Sequence, residues 1–210
     1  MAKLKSSLTN MLLSLTLIAL VAAGLLAAVY NVTKDPIDQA KAQKQAAAKI
    51  AVLPALEGIT VSEEAETVDG MNIYKAYVGE ELAGAAVEAQ EIGFGGVFKM
   101  MVGFDKEGTV TGYQVLEHQE TPGLGAKMDQ WFKTDKGHQN VIGLNPGTCN
   151  LTVSKDGGDV DAITAATISS RAFLLAVTKA YNAYLSDKLE AVSGATTLVN
   201  EENNNETEED

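Results

Sequence analysis

Three hydrophobic patterns follow one another along the chain. Residues 11–31 are almost all apolar or small and contain no charge, and a run of about twenty such residues is long enough to cross a bilayer as a helix. From residue 57 onward, short alternating runs are typical of strands. After Ile168, apolar residues recur at the three- and four-residue spacing of an amphipathic helix. The pattern therefore predicts an α+β protein with a single N-terminal transmembrane helix, a stalk helix, an antiparallel sheet and a long C-terminal helix.

The apolar run has two interpretations. Lys3 and Lys5 precede it and small residues end it, as in a cleaved signal peptide;. The run is longer than the apolar part of such a peptide, which has about 7–15 residues, and this favours an uncleaved anchor. Lysines also follow the run, so the charge distribution is a weak guide to orientation. We expect residues 1–10 in the cytoplasm and the domain on the extracytoplasmic side of the cell membrane.

The segment 32–56 is interpreted as a stalk helix and linker. Asp35 and Pro36 are suited to the start of a helix, as cap and first residue;. The alanine- and lysine-rich helix that follows must end near Leu53, because Pro54 comes next;. Packing of this helix against the domain is an alternative that the sequence leaves open.

Residues 57–190 are predicted to form the sheet domain. A turn at 105–108 separates two alternating runs and is a hairpin signal;. The predicted short helix covers 127–132. The predicted strands are 72–78, 85–90, 96–104, 109–117, 141–144 and 149–154.

Charge narrows the classes of partner. The net charge of −12 argues against nucleic-acid binding, which needs a basic surface. Many acidic residues lie in 191–210, which is predicted to be a disordered tail;. The chain has one cysteine and two histidines, with no metal-ligand spacing;. We therefore expect no metal and no catalytic acid, base or nucleophile.

The segment 161–171 is the first candidate site. Small residues before a helix leave its first backbone N–H groups free, and these donors together with the helix dipole favour an anion. Thr167 places a hydroxyl there, and Arg171 is one turn further on, within reach of a phosphate;. Ordinary N-capping by Thr164, Thr167 or Ser169 is the alternative explanation of the same residues.

Two glycine-containing segments are further candidates. Gly93–Gly96 (GFGG) lacks the spacing of a dinucleotide or phosphate loop, but its glycines permit a bulge or a close approach to something flat;. Residues 118–127 (HQETPGLGAK) follow a predicted strand and crowd glycines, a proline and an acid into one loop. A rigid strand-to-helix turn would have the same composition.

Together these segments resemble a known family. The single span, GFGGVFKMMVGFD, ETPGLG, and D-x-x-T-x-A-T followed by ISSRAF are similar to the covalent-flavin subunits of membrane redox pumps. The nearest resemblance is to the G subunit of the Rnf ion-translocating ferredoxin:NAD oxidoreductase. The C subunit of the Na⁺-translocating NADH:quinone reductase shares the domain but is usually longer. The resemblance covers most of the chain, from the anchor to about Leu189.

The resemblance implies that 57–190 is an FMN-binding domain, with FMN joined through its phosphate to a threonine by a flavin transferase that uses FAD. The family pattern D-x-x-(S/T)-G-A-T maps onto Asp161, Thr164, Ala165, Ala166 and Thr167. The implied modified residue is Thr167. The chain departs from the pattern at Ala165, where glycine is usual. Alanine is strained there if the position needs a positive φ, and it suffices if the position needs only a small side chain.

A second threonine matches the core of the same pattern. Residues 193–196 (SGAT) fit it literally, with Glu190 in the place of the aspartate. Thr167 is preferred to Thr196 because an aspartate precedes it and an amphipathic helix follows it. The acidic tail after Thr196 would repel a phosphate.

The resemblance also implies a set of flavin-lining residues and a function. Backbone donors and Thr121 would bond the ring or its ribityl chain, Leu124 would cover an apolar face, and Lys127 would add positive potential. The chain would relay electrons beside other subunits of a membrane complex. A tethered scaffold without a redox cofactor and a stand-alone extracytoplasmic flavin reductase are the alternatives. Besides Thr167, the implied cofactor-binding residues are Thr164, Ala165, Ala166, Ser169, Arg171, Glu120, Thr121, Gly123, Leu124, Gly125 and Lys127.

Overall fold

A computed structural model describes residues 7–204 of the chain, with side chains up to Lys188. It contains two compact units, residues 1–44 and 45–210. Short 3₁₀ turns lie at Gly125–Lys127 and Ser154–Asp156. The helices and strands are α1 Leu8–Ala51, β1 Ile59–Val61, β2 Glu66–Val68, β3 Met71–Val78, β4 Glu81–Ile92, β5 Val97–Asp105, β6 Val110–Glu117, α2 Met128–Trp131 and α3 Thr167–Asn204.

Most of α1 forms the first unit. Among the described residues it is the one helix long and apolar enough to cross a membrane. The prediction that a separate helix starts at Asp35-Pro36 is wrong, because α1 continues through Pro36. A proline removes only one helical hydrogen bond, and the alanine, lysine and glutamine residues that follow are strong helix formers;. The helix ends at Ala51, close to the predicted end before Pro54.

The second unit contains one antiparallel sheet, which confirms the predicted α+β class. The strand order is β1-β3-β4-β5-β6, and β2 also pairs with β3. The 72–78, 96–104 and 109–117 predictions correspond to β3, β5 and β6, while β4 is longer than predicted at both ends. Asp105 shapes the predicted hairpin, since its Oδ1 accepts hydrogen bonds from the N–H groups of Glu107 and Thr109.

Two predicted strands are wrong: 141–144 and 149–154 are turns and loop, apart from a single parallel bridge between Val153 and Val160 and the start of a 3₁₀ turn at Ser154. Val141, Leu151 and Val153 are buried, so their spacing reflects a loop that packs alternate side chains into the core. Val141 N–H donates to the Phe132 carbonyl rather than to a strand. β1 and β2 were not predicted, because three residues are too few to show an alternating pattern.

One face of the sheet carries α3. Phe104 stacks on Tyr184 with ring centroids 5.7 Å apart, and Phe173 stacks on Phe132 at 4.2 Å. These contacts place the apolar stripe of α3 in the core, as its spacing predicts. The helix continues past residue 190, the predicted end of the domain. Side chains beyond Lys188, including Thr196, and residues 205–210 of the predicted tail lie outside the described residues.

The opposite face of the sheet receives the last turns of α1. Ala48 and Val52 are buried with Tyr74 in a second core. A Cβ on Gly103 would collide with the Val52 carbonyl, so glycine permits this close approach;. Gln45 Nε2 donates to Glu88 Oε2 at 2.8 Å. The end of the predicted stalk therefore packs against the domain, which was the alternative left open.

A buried carboxylate, Asp187, joins α3 to the sheet. Its Oδ1 lies 3.2 Å from Lys75 Nζ, which also lies 2.7 Å from Glu66 Oε2. Burial, followed by the Glu66 carboxyl, raises the pKa of Asp187 to about 6;. At a pH between the ordinary Asp value of 3.8 and about 6, Asp187 is therefore protonated in the folded chain and ionised in the unfolded chain. Asp187 contributes stability that is present below the ordinary Asp range and is lost as the pH rises through about 6;.

We expect Asp187→Asn to reduce the fall in unfolding free energy between about pH 4 and pH 6. The pKa of Glu66 is lowered by hydrogen bonds with Asp187 and Lys75, so its contribution is lost as the pH falls below the ordinary Glu range. Denaturant unfolding across this pH series measures the difference. Glu80→Gln, at an exposed turn, is the control, and equal pH slopes in both variants would contradict the assignment.

Candidate functional site

A cavity of about 340 Å³ lies where three segments meet. These segments are the hairpin tip between β4 and β5, the loop after β6, and the start of α3. Eight of the twelve residues expected to bind the cofactor lie here, although they come from two distant parts of the sequence. The lining residues are Phe94, Glu120, Thr121, Leu124, Gly125, Ala165, Ala166, Thr167, Ile168 and Ser169.

Thr167 is the first residue of α3. The Ser170 hydroxyl orders the entry to this helix, since it accepts from the Ile163 N–H and donates to the Ala166 carbonyl, both at 2.9 Å. Within the described residues, neither the Thr167 hydroxyl nor that of Thr164 has a protein hydrogen-bond partner. None of Thr164, Thr167 and Ser169 accepts a hydrogen bond from an N–H group of the first turn in the described residues, so the N-capping offered as the alternative is absent;. The Thr167 hydroxyl and the first N–H groups of the helix remain available to an anion.

Asp161 fixes the segment that leads to Thr167. Its Oδ2 accepts from the His138 N–H at 3.0 Å, and its Oδ1 accepts from Ser154 Oγ at 2.7 Å. These hydrogen bonds lower the pKa of the Asp161 carboxyl;. Trp131 Nε1 donates to its carbonyl at 2.9 Å. Asp161 does not line the cavity, so it supports the loop rather than the ligand.

Ala165, where the family pattern has glycine, has a φ of 61°. This is the strained alternative of the two that the sequence left open. A positive φ brings the Cβ of a non-glycine residue against its own backbone and costs about 1–2 kcal/mol. The strain lies two residues before Thr167 and beside the cavity.

We expect Ala165→Gly to raise the free energy of unfolding by about 1 kcal/mol, since the relieved strain exceeds the added freedom of the unfolded chain. Ala166→Gly is the matched control. Ala166 is buried and has no positive φ, so glycine there lowers stability by about 0.5–1 kcal/mol. Denaturant unfolding of both variants measures the two shifts. A loss of stability in both would show that Ala165 is unstrained.

Glu120 ties the three segments together. The residue is 5% exposed. Its Oε2 accepts from Ser169 Oγ at 2.7 Å, and its Oε1 accepts from the Gly95 N–H at 3.2 Å. A Cβ on Gly125 would collide with Oε2. The glycine at 125 is therefore needed for this carboxylate to pass beneath the loop and reach α3.

Four expected residues lie elsewhere. The Arg171 guanidinium pairs with Asp156 through Nε at 2.6 Å and a second nitrogen at 2.7 Å, so it does not reach back to Thr167. Thr164 lines a different cleft, together with Trp131 and Lys136. Gly123 and Lys127 are exposed and do not line the cavity.

Two lining residues were missed. Phe94 is 70% exposed and Ile168 is 53% exposed. Phe94 could have been found from the sequence, because it is an aromatic residue between glycines and outside the alternating pattern of the buried strand residues. In the sequence Ile168 marks only the start of the helical pattern, and it lies on the opposite side of α3 from the buried residues.

The cavity fits a phosphorylated ring compound. Its lining is mostly apolar and contains no lysine or arginine, which suits a flat uncharged ring;. The helix start at Thr167 suits the phosphate. Fold and site together are those of a domain that can bind a phosphorylated ring compound, on a chain that has one helix long and apolar enough to span a membrane among its described residues.

Comparisons with known proteins identify the family. The model of the FMN-binding domain matches residues 93–182, and that of the RnfG N-terminal region matches residues 4–49. A Methanosarcina acetivorans relative is 34% identical over 79% of this chain and 88% of its own length. Relatives from Aliivibrio fischeri and Yersinia pestis are 35% identical over 80% of this chain and 86% of their own length. All three are named as the G subunit of an ion-translocating oxidoreductase complex, and the chain belongs to this family.

Proposed function

We propose that this chain is the electron-transfer subunit of an Rnf-type ion-translocating ferredoxin:NAD oxidoreductase, and that it carries FMN as a phosphoester on Thr167. The observation that supports this most is the position of the Thr167 hydroxyl. It lies at the cavity, at the first residue of α3, without a protein partner in the described part of the chain. An oxygen placed in this way is both accessible and close to an anion-stabilising helix start.

Attachment is a phosphoryl transfer catalysed by a flavin transferase. In this transfer the Thr167 hydroxyl would give up its proton and bond through its oxygen to the phosphorus on the riboflavin side of FAD, while the pyrophosphate bond would break and AMP would leave. The free N–H groups at the start of α3 stabilise the phosphate charge that results.

The residues around the cavity then hold the ring. Leu124 and Ile168 provide apolar contacts, while the exposed Thr121 hydroxyl and loop N–H groups are donors for the ring or ribityl chain. Bound FMN supplies one-electron chemistry, which the protein positions and tunes. The covalent bond keeps the cofactor in place in every redox state, so the site needs no cation to retain a free phosphate.

The anchor sets where this relay operates. We place residues 11–31 across the lipid bilayer of the cell membrane and the FMN-binding domain on the extracytoplasmic side. Other subunits of the complex supply the electron donor and acceptor. They also supply the ion path, because the span has no charged residue to form one;.

Intact-mass measurement of the protein from its native membrane, followed by peptide mapping, tests this function. We expect a chain that keeps its anchor and carries one FMN, with the added mass on the peptide that contains Thr167. Co-purification with other subunits is expected in the same preparation. A bare Thr167 in a complex that still transfers electrons at full rate would contradict the proposal.

A further inference from the structure

The hairpin tip Gly93–Gly96 places an aromatic side chain at the edge of the cavity. Phe94 lines the cavity and is 70% exposed. An exposed phenylalanine leaves apolar area in water, and a ligand that covers this area is favoured because it removes the area from water. Phe94 is not a member of either buried core cluster of the described residues.

The glycines of the tip hold Phe94 at this position. A Cβ on Gly93 would collide with Glu120 Oε1, and a Cβ on Gly95 would collide with the Gln119 carbonyl. The Gly95 N–H donates to Glu120 Oε1 at 3.2 Å. The tip therefore rests directly against the loop after β6, and Glu120 connects it onward to the start of α3. The hairpin tip that carries Phe94 is therefore held in place by its contacts with Gln119 and Glu120.

The surroundings of Phe94 suit a flat, uncharged surface. Leu124, from the loop after β6, is 39% exposed, and Ile168 is 53% exposed. The one charged lining residue, Glu120, already accepts hydrogen bonds with both carboxylate oxygens. An anion is better placed at the free helix start beside Thr167, which leaves the space next to Phe94 for the ring.

We propose that Phe94 covers one face of the flavin ring, excludes water from it and lowers its reduction potential. The inference rests on the proposed function, since it requires FMN on Thr167. An aromatic side chain and an aromatic ring attract each other in an offset stack. Because Phe94 displaces water, it disfavours the negatively charged reduced ring relative to the neutral oxidised ring. Phe94 is thus a cofactor-contacting residue that tunes the relay.

The test uses the full-length chain produced together with a flavin transferase. In Phe94→Ala, iodide quenching of the attached flavin should rise toward that of free FMN, and the midpoint potential should become more positive. Phe94→Leu keeps an apolar side chain and should restore most of the shielding. Leu185→Ala is the matched control, because Leu185 is an exposed leucine of α3 that does not line the cavity. Both readouts should match wild type in this control.

The outcomes separate this inference from the proposed function. Attached flavin is first scored by fluorescence on a denaturing gel, and quenching is expressed per attached flavin. A wild-type chain without attached flavin overturns both proposals. Attached flavin with the same quenching and the same potential in wild type and Phe94→Ala overturns the role of Phe94 alone.

Discussion

Thr167→Ala is expected to remove all ultraviolet-excited flavin fluorescence from the protein band of a denaturing gel. The hydroxyl oxygen is the atom that bonds to phosphorus, and the hydroxyls of the neighbouring residues Thr164 and Ser169 are not placed to replace it. The Ser169 hydroxyl is buried and donates to Glu120, and the Thr164 hydroxyl lies at a different cleft. The loss should therefore be complete rather than partial.

Three further variants define the specificity of this loss. Thr167→Ser keeps a hydroxyl and should keep attached flavin. Thr164→Ala, and Thr196→Ala in the second threonine motif, should both leave the fluorescent band at the wild-type level. Loss of the band in Thr196→Ala alone, or full fluorescence in Thr167→Ala, would reject Thr167 as the attachment residue.

The sequence predicts the parts of this fold that depend on local pattern. Three full strands and the amphipathic C-terminal helix each bury one face against a neighbour, so their periodicity survives in the structure. The long apolar run is recognisable from its length and composition alone;. The strands predicted at 141–144 and 149–154 are wrong because a loop packed on the core buries alternate apolar residues, which gives the same sequence pattern as a strand. The helix start expected at Pro36 fails because strong helix formers after the proline carry α1 through it;.

The sequence predicts the site residues that belong to a local motif at a helix start. It does not predict contacts between residues that are far apart in the sequence. Thr167 and the Glu120 loop were expected together, and they line one cavity. The pairing of Arg171 with Asp156 joins residues fifteen positions apart across a turn, and no local rule predicts it. The sequence indicates that Ala165 is strained if its φ is positive and unstrained if the position needs only a small side chain. The φ of 61° in the structure decides for strain.

Phe173→Ala is expected to lower the free energy of unfolding by about 3–5 kcal/mol. Phe173 is fully buried, stacks on Phe132 with centroids 4.2 Å apart and meets Tyr113 edge-on at 4.8 Å. The loss is a large share of the 5–15 kcal/mol typical of a domain, and it loosens the helix that begins at Thr167, so attached flavin should also decrease. Leu175→Ala, on the exposed side of the same helix, should stay within about 0.5 kcal/mol of wild type. Denaturant unfolding compares the two, and equal losses would show that the aromatic cluster does not hold α3 on the sheet.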